Sequence, residues 1–289
     1  MTVGTRPSWT FDAIGTRWEI LTDLPLDADA RAAVTALIEE FDRNWSRFRP
    51  DSLVARLARS GGDAKAPGDT TAMLDAYGSL SAASGGAVNP LVGDALARRG
   101  YGMDYTLSDA GATAAPAAWA ELLSWDDDLL TLHAPATIDV GALGKGRLVD
   151  RVLARLATDL DGTIVVDASG DLAVRGGPLR VGLEHSYDRS RAIGVAEVTH
   201  GALCASATNR RTWGNGLHHV VDARTGEPVR TVAATWARAR DAMRADAIAT
   251  ALFFDGGPEL AHQWNVDWVR MRTDGRVEWS AGAEGWAFR

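Results

Sequence analysis

The apolar residues of this chain change period repeatedly and never settle into a regular strand–helix alternation. Residues 27–45 carry Ala33, Leu37, Ile38 and Phe41 at helical spacing, with Asp27 or Asp29 placed to cap them. Residues 52–58 and 69–83 read as two more helices, closed by Ser60-Gly61-Gly62 and Ser84-Gly85-Gly86. Arg147–Leu156 is another, with Leu148, Val149, Val152, Leu153 and Leu156 on one face. Residues 9–22 read instead as a strand broken at Gly15-Thr16, and 129–133 and 137–140 as short strands. Thr163–Val166 is β-branched and reads as a buried strand. Short strands and turns then run to residue 240, where the strand-like run Val232–Arg238 leads into a helix over Arg244–Phe254. Strands are expected near 266–271 and 276–280, and the Ala-rich stretch 108–125 reads as a surface connection with a short helix. This order predicts an α+β fold with mixed and antiparallel sheets, not a doubly wound parallel sheet. No fixed-period repeat or linker divides the 289 residues, so 1–289 is expected to be one domain.

Composition narrows the function classes. The net charge of −8 argues against a nucleic-acid partner, which demands a basic surface. No run approaches the roughly 18 apolar residues of a membrane span. The first residues, Met1 to Pro7, show neither a signal peptide nor an early lipobox cysteine, so a cytoplasmic location is expected. The one cysteine, Cys204, can neither staple the fold nor build a multi-cysteine zinc site, and its apolar flanks read as a small buried hydrophobe. The eleven tryptophans are scattered and read mostly as packing.

Three segments carry chemistry. In Ile138-Asp139-Val140-Gly141-Ala142-Leu143-Gly144-Lys145-Gly146 an extended run meets a glycine-broken loop, with a lysine at the mouth of a helix. Helix N-termini favour anions and the lysine adds a full charge, which suits a phosphate-bearing ligand; a structural turn with an exposed lysine is the alternative. The spacing is not that of a P-loop, and Gly146 stands where a magnesium-binding hydroxyl belongs. Asp246 and Thr250, four apart on a helix, offer two hard oxygens to magnesium, or else a helix cap and a hydroxyl bonded back to its own helix. His218 and His219 open an expected strand, closed by an Asp-x-x-Thr-Gly turn. Strand neighbours point to opposite faces, so the pair does not chelate one metal, and one of them facing a pocket could serve as a general base. Both being structural is the alternative. GxSxG, HExxH and CxxC are absent, which removes support for a serine hydrolase or a zinc protease.

Taken in order, seven segments resemble the FAD:protein FMN transferase family, the ApbE-like flavin transferases. They are Ile14-Gly15-Thr16, FDRNWSRFRPDSLVARL, SGGAVNPLVG, IDVGALGKGRLVDRV, VVDASGDLAVRG, HHVVDARTGEP and ADAIAT, spread over about residues 11–255. The resemblance implies FAD as substrate, a divalent metal, usually magnesium, and transfer of FMN through a phosphoester to a Thr or Ser of an acceptor flavoprotein, with release of AMP. It implies a two-lobed α+β unit with FAD in the cleft. Asp246, Thr250 and the carbonyl of Ala142 would hold the metal. Asp139 and Lys145 would line the FAD site, with Lys145 near the pyrophosphate. Ile14, Phe48 and Ala87-Val88-Asn89 would line the adenine or flavin pocket, and Val220 would meet the ligand through its backbone. His219 would take the proton of the acceptor hydroxyl. Ile14, Val88, Asn89, Ser169 and Ala223 replace the family's usual Met, Phe, Asp, Gly and Pro, and Ser206-Ala207 stands where Ser-Gly is usual. The metal and phosphate positions thus match while the flavin or adenine pocket has drifted. Hydrolysis of FAD to FMN and AMP, or non-catalytic FAD binding, are the competing outcomes at the same site.

Overall fold

A computed structural model gives the structure of residues 6–287; the leader reading of residues 1–5 lies outside the described residues. The α-helices are α1 (Ala28–Trp45), α2 (Leu53–Ser60), α3 (Thr70–Ala83), α4 (Gly93–Arg98), α5 (Trp119–Leu122), α6 (Gly144–Leu156), α7 (Ala242–Ala251) and α8 (Gly257–Gln263). Their starts follow local chemistry. Asp27 caps α1 by accepting from Ala30 N at 2.8 Å, and Ser52 caps α2 through Ala55 N at 3.0 Å. Helix α7 is capped by Asp241, which accepts from Arg244 N, so Asp246 is not a cap. Asp150 of α6 accepts from Ala242 N and Met243 N at 2.7 and 2.9 Å, tying the start of α7 to α6. Burial nonetheless pushes the Asp150 carboxyl up to about 6.

The main sheet is antiparallel throughout. Its order is Ser8–Ala13, Thr16–Thr22, Ile164–Asp167, Asp171–Arg175, Gly201–Ala207, Val232–Ala239, Asp267–Arg272 and Val277–Trp279. Side chains alternate across it. Ile164 and Val166 join the core under the helices, whereas Val165 packs on the other face with Leu183, Ala196 and Val198. Those three belong to the hairpin Leu179–His185 and Asp188–Val198. Both faces are therefore covered, as the β-branched run from Thr163 predicts. Cys204 is fully buried with a free thiol.

The segment 137–140 is not a strand. Its amides are taken by Asp94 Oδ2, from Thr137 N, and by Pro90 O, from Asp139 N, so it runs extended without a ladder partner. The histidine segment also differs from expectation. His218 ends the two-residue strand Leu217–His218, and His219 lies in a bend beyond it. Helices α4 and α8 were not expected. No helix among the described residues is long and apolar enough to cross a membrane.

Candidate active site

Helix α6 begins at Gly144, three residues earlier than its apolar face suggests, and the reason is packing. A Cβ on Gly146 would stand 2.2 Å from Ala242 O, so only glycine lets α6 and α7 approach this closely. The approach puts Gly146 N 2.9 Å from Asp246 Oδ2. Asp246 thus occupies the anion-favouring N-terminus of α6, joining two motifs 100 residues apart. One turn along α7, Thr250 Oγ1 lies 3.3 Å from Ala142 O. Burial, and then the nearby Asp171 charge, push the Asp246 carboxyl well above the ordinary range.

Above this junction lies a cavity of about 550 Å³. The loop Asp139–Lys145 forms its floor, and the end of α1 with Arg47 and Phe48 forms one wall. Ile14, the Ala87–Asn89 segment, Arg211, His219, Val220 and Thr250 also line it. Every binding or catalytic residue read from the sequence is on this wall except Asp246, which is buried behind it.

The roles available to these side chains differ. Asp139 Oδ1 accepts from Gly141 N at 2.6 Å and its other oxygen pairs with the buried Arg47 guanidinium. Tyr77 OH donates to Asp139 O at 2.8 Å and accepts from Ala142 N at 3.3 Å, pinning the loop from below. Lys145 forms an ion pair with the buried Asp171, so its ammonium is already matched. Burial works against that ammonium, but Asp171 and Asp246 outweigh it and the Lys145 pKa rises. Asn89 is a turn residue: Oδ1 accepts from Leu91 N at 2.8 Å and Nδ2 donates to Pro116 O at 2.9 Å. Val220 has both backbone groups engaged, its N–H with His218 Nδ1 and its carbonyl with Val229 N.

The two histidines separate in the structure. His218 uses both ring nitrogens within the protein, Nε2 with Val229 O at 2.9 Å and Nδ1 with Val220 N at 3.3 Å. His219 lines the cavity, half-buried overall, with Nδ1 enclosed and without a hydrogen-bond partner. Burial, reinforced by the charges of Arg211, His218 and Lys145, pushes its pKa down to about 3. Its imidazole is therefore neutral near pH 7, the form able to accept a proton.

The described ApbE family pattern matches residues 14–268. The chain belongs to the ApbE family. Two relatives carry the name FAD:protein FMN transferase. The Rhodobacter capsulatus protein is 28% identical over 298 residues, covering 93% of this chain but 56% of its own length. The Treponema pallidum protein is 27% identical, covering 86% of this chain and 78% of its own. The chain thus spans little more than half the length of the first relative. The fold also matches the Thermotoga maritima ApbE protein, with a TM-score of 0.83 at 20% identity over 98% of this chain and 100% of that one. The Vibrio cholerae flavin transferase ApbE gives a TM-score of 0.80 at 20% identity, covering 97% and 99%.

Three residues that line this ApbE-family cavity, Arg47, Tyr77 and Arg211, and Asp171, which pairs with Lys145 from a buried position, carry no role read from the sequence. Arg47 lies within the matched segment FDRNWSRFRPDSLVARL and Asp171 within VVDASGDLAVRG, so position marks them faintly. Tyr77 and Arg211 carry no local signal, because their partners Asp139 and Tyr101 are 62 and 110 residues away.

Proposed function

We propose that this chain is a magnesium-dependent FAD:protein FMN transferase that acts through residues 1–289 as one unit. It binds FAD in the cavity and transfers the FMN half to a Thr or Ser hydroxyl of an acceptor flavoprotein. The observation that carries this reading is the meeting, around one cavity, of a neutral His219, the Asp139–Lys145 loop, and the oxygens of Thr250 and Ala142 above Asp246. The two relatives named FAD:protein FMN transferase support it.

The donor chemistry suits a hard cation. A buried carboxylate that burial drives toward its neutral form gains a reason to ionise when a cation joins it, and a hydroxyl and a carbonyl oxygen stand close by. No cluster of three His, Cys, Asp or Glu is arranged for a metal among the described residues, so the set rests on one carboxylate and two neutral oxygens. Asp246, Thr250 and the Ala142 carbonyl would hold magnesium, which supplies charge neutralisation at the diphosphate. Ile14, Phe48, Ala87, Val88, Asn89 and Val220 shape the pocket for the rings, and Asp139 and Lys145 fix the floor under the phosphates. His219 takes the proton from the acceptor hydroxyl as its oxygen bonds to the FMN phosphorus. The phosphoanhydride bond breaks and AMP leaves with the electron pair, so the acceptor ends as an FMN phosphoester.

The test is incubation with FAD and magnesium, with and without an acceptor flavoprotein domain. Covalent flavin on the acceptor, seen as in-gel fluorescence, is the expected result. Free FMN and AMP with no labelled acceptor would assign hydrolysis instead, and unchanged FAD would leave a binding protein.

A further inference from the structure

The cavity wall carries four Lys or Arg side chains, and their charge matching is uneven. Arg47 is paired with Asp139, Lys145 with Asp171, and Arg49 with Glu39, Asp42 and Asp51. Arg211 stands apart. Its hydrogen-bond partner among the described residues is neutral: Nη1 donates to Tyr101 OH at 2.8 Å. The chain places it there by simple alternation into the short strand Thr212–Trp213. Arg210 and Thr212 face outward, Arg210 meeting Glu184 at 3.2 Å, while Arg211 and the buried Trp213 face inward. Tyr101 is itself held, stacked on Trp213 at 5.4 Å and edge-on to Phe48 at 5.4 Å. The guanidinium is thus a positioned, half-buried cation without a carboxylate partner among the described residues, and it lines the same cavity as His219.

A cation held away from bulk water favours an anionic partner, and a guanidinium presents a planar fork that fits two oxygens of one phosphate. We propose that Arg211 is the residue that pairs with the phosphate oxygens of the bound ligand, with Tyr101 as its positioning residue. The proposal rests on the flavin-diphosphate reading above and deepens it. It shifts the main phosphate contact from Lys145, whose charge Asp171 already matches, to a residue outside every matched motif.

The experiment is titration of FAD and of riboflavin, by flavin fluorescence, against the wild type and the variants Arg211→Met, Arg211→Lys and Tyr101→Phe. Melting temperatures are measured in parallel. Arg211→Met is expected to weaken FAD by about ten- to a hundredfold, the range for a hydrogen bond to a charged group, while riboflavin binding stays the same. Arg211→Lys should recover part of the loss, since it keeps the charge without the fork. Tyr101→Phe should show a smaller loss, again confined to FAD. Unchanged FAD affinity in a folded Arg211→Met protein, or equal losses for both ligands, overturns the proposal. If Arg211→Met does not fold, Arg211→Lys and Tyr101→Phe decide it by the same FAD-against-riboflavin criterion. A wild type that binds no FAD overturns the flavin reading instead. Inorganic pyrophosphate then tests Arg211 alone: a thermal shift in the wild type that the Arg211 variants lack supports the proposal, and no shift overturns it.

Discussion

At and beneath the cavity floor, a Cβ on Gly146 would collide with Ala242 O, Asp139 is held by Arg47 and Gly141, and the buried Asp246 by Gly146. At the rim, Phe48, Met103 and Tyr105 are 36%, 42% and 51% exposed, and the rings of Phe48 and Tyr105 meet each other and Tyr101. The charges at and beneath the floor are fixed largely by partners distant in sequence, Arg47 for Asp139 and Gly146 for Asp246. The rim is made of apolar surface, which tolerates exchange of one ring or chain for another. Departures from the family pattern follow this division in part. By the sequence resemblance, Asp139, Lys145, Asp246 and Thr250 match the positions it implies, while Ile14 does not. Asn89 also departs, and the structure gives its compensation: an aspartate could not donate to Pro116 O as Asn89 Nδ2 does.

The hardest test of the floor is Asp246→Asn. The amide oxygen can still accept from Gly146 N, and the variant removes a carboxylate that burial disfavours. Stability should be unchanged or higher. Transfer should nevertheless fall by about a thousandfold or more at any magnesium concentration, because several kcal/mol of charge stabilisation at phosphorus is lost. Thr250→Val removes only a neutral oxygen and should cost about tenfold. Normal metal dependence in Asp246→Asn would erase the distinction between a chemical floor and a permissive rim.

His219 comes next. His219→Ala should slow transfer by about 10²–10⁴-fold while leaving FAD binding nearly intact. His218→Ala should keep most of the activity but lower the melting temperature, because both ring nitrogens are bonded inside the protein. The pH dependence has a definite sign. The His219 pKa is depressed in the folded chain to about 3. The unfolded imidazole therefore binds its proton first as pH falls, and the stability that His219 contributes is complete above about 6.5 and lost toward 3. The base form persists in the unliganded protein over the same range. The acidic limb of kcat/KM assigned to His219 should accordingly lie well below the ordinary imidazole value. A limb near 6.5 that disappears in His219→Ala would show that the ring is more open to water than the cavity geometry implies.

Gly146→Ala tests the floor by shape alone. The new methyl must push α7 away from α6, a strain costing about 1–3 kcal/mol, read as a lower melting temperature. The same position shows why part of the site was illegible in the sequence. Gly144-Lys145-Gly146 reads as a glycine-broken turn, since glycine signals irregular backbone, yet here it serves a close helix crossing and the helix runs through it. The helix α1 was legible because Asp27 and the spacing of Ala33, Leu37 and Phe41 act locally. Helix α8 was not, because Gly256-Gly257-Pro258 looks like a break, although proline in the first turn is a helix start. The run 137–140 has the alternation of a strand, but a strand also needs a neighbour, and Pro90 and Asp94 take its amides instead. The motif residues Asp139, Lys145, His219 and Asp246 were visible, whereas Arg211 and Tyr77 acquire meaning only from partners the fold supplies.

The smallest expected effect lies at the rim, in Ile14→Asn. Ile14 and Gly15 form the two-residue turn between Ser8–Ala13 and Thr16–Thr22, and both have positive φ, 45° and 71°. A β-branched residue is strained there by about 1–2 kcal/mol, while Asn-Gly is the favoured pair for such a turn. Asparagine relieves the strain but gives up a half-buried apolar side chain that packs against the core and faces the cavity. The two terms nearly cancel, so the melting temperature should stay within the shift that about 1 kcal/mol produces. FAD and riboflavin should both bind a few-fold more weakly, since roughly 1 kcal/mol of apolar contact is lost to either ligand. That pattern, stability kept and both affinities reduced alike, is opposite to the FAD-selective loss expected at Arg211. Unchanged affinity together with a lower melting temperature would mean that Ile14 serves the hairpin and not the ligand.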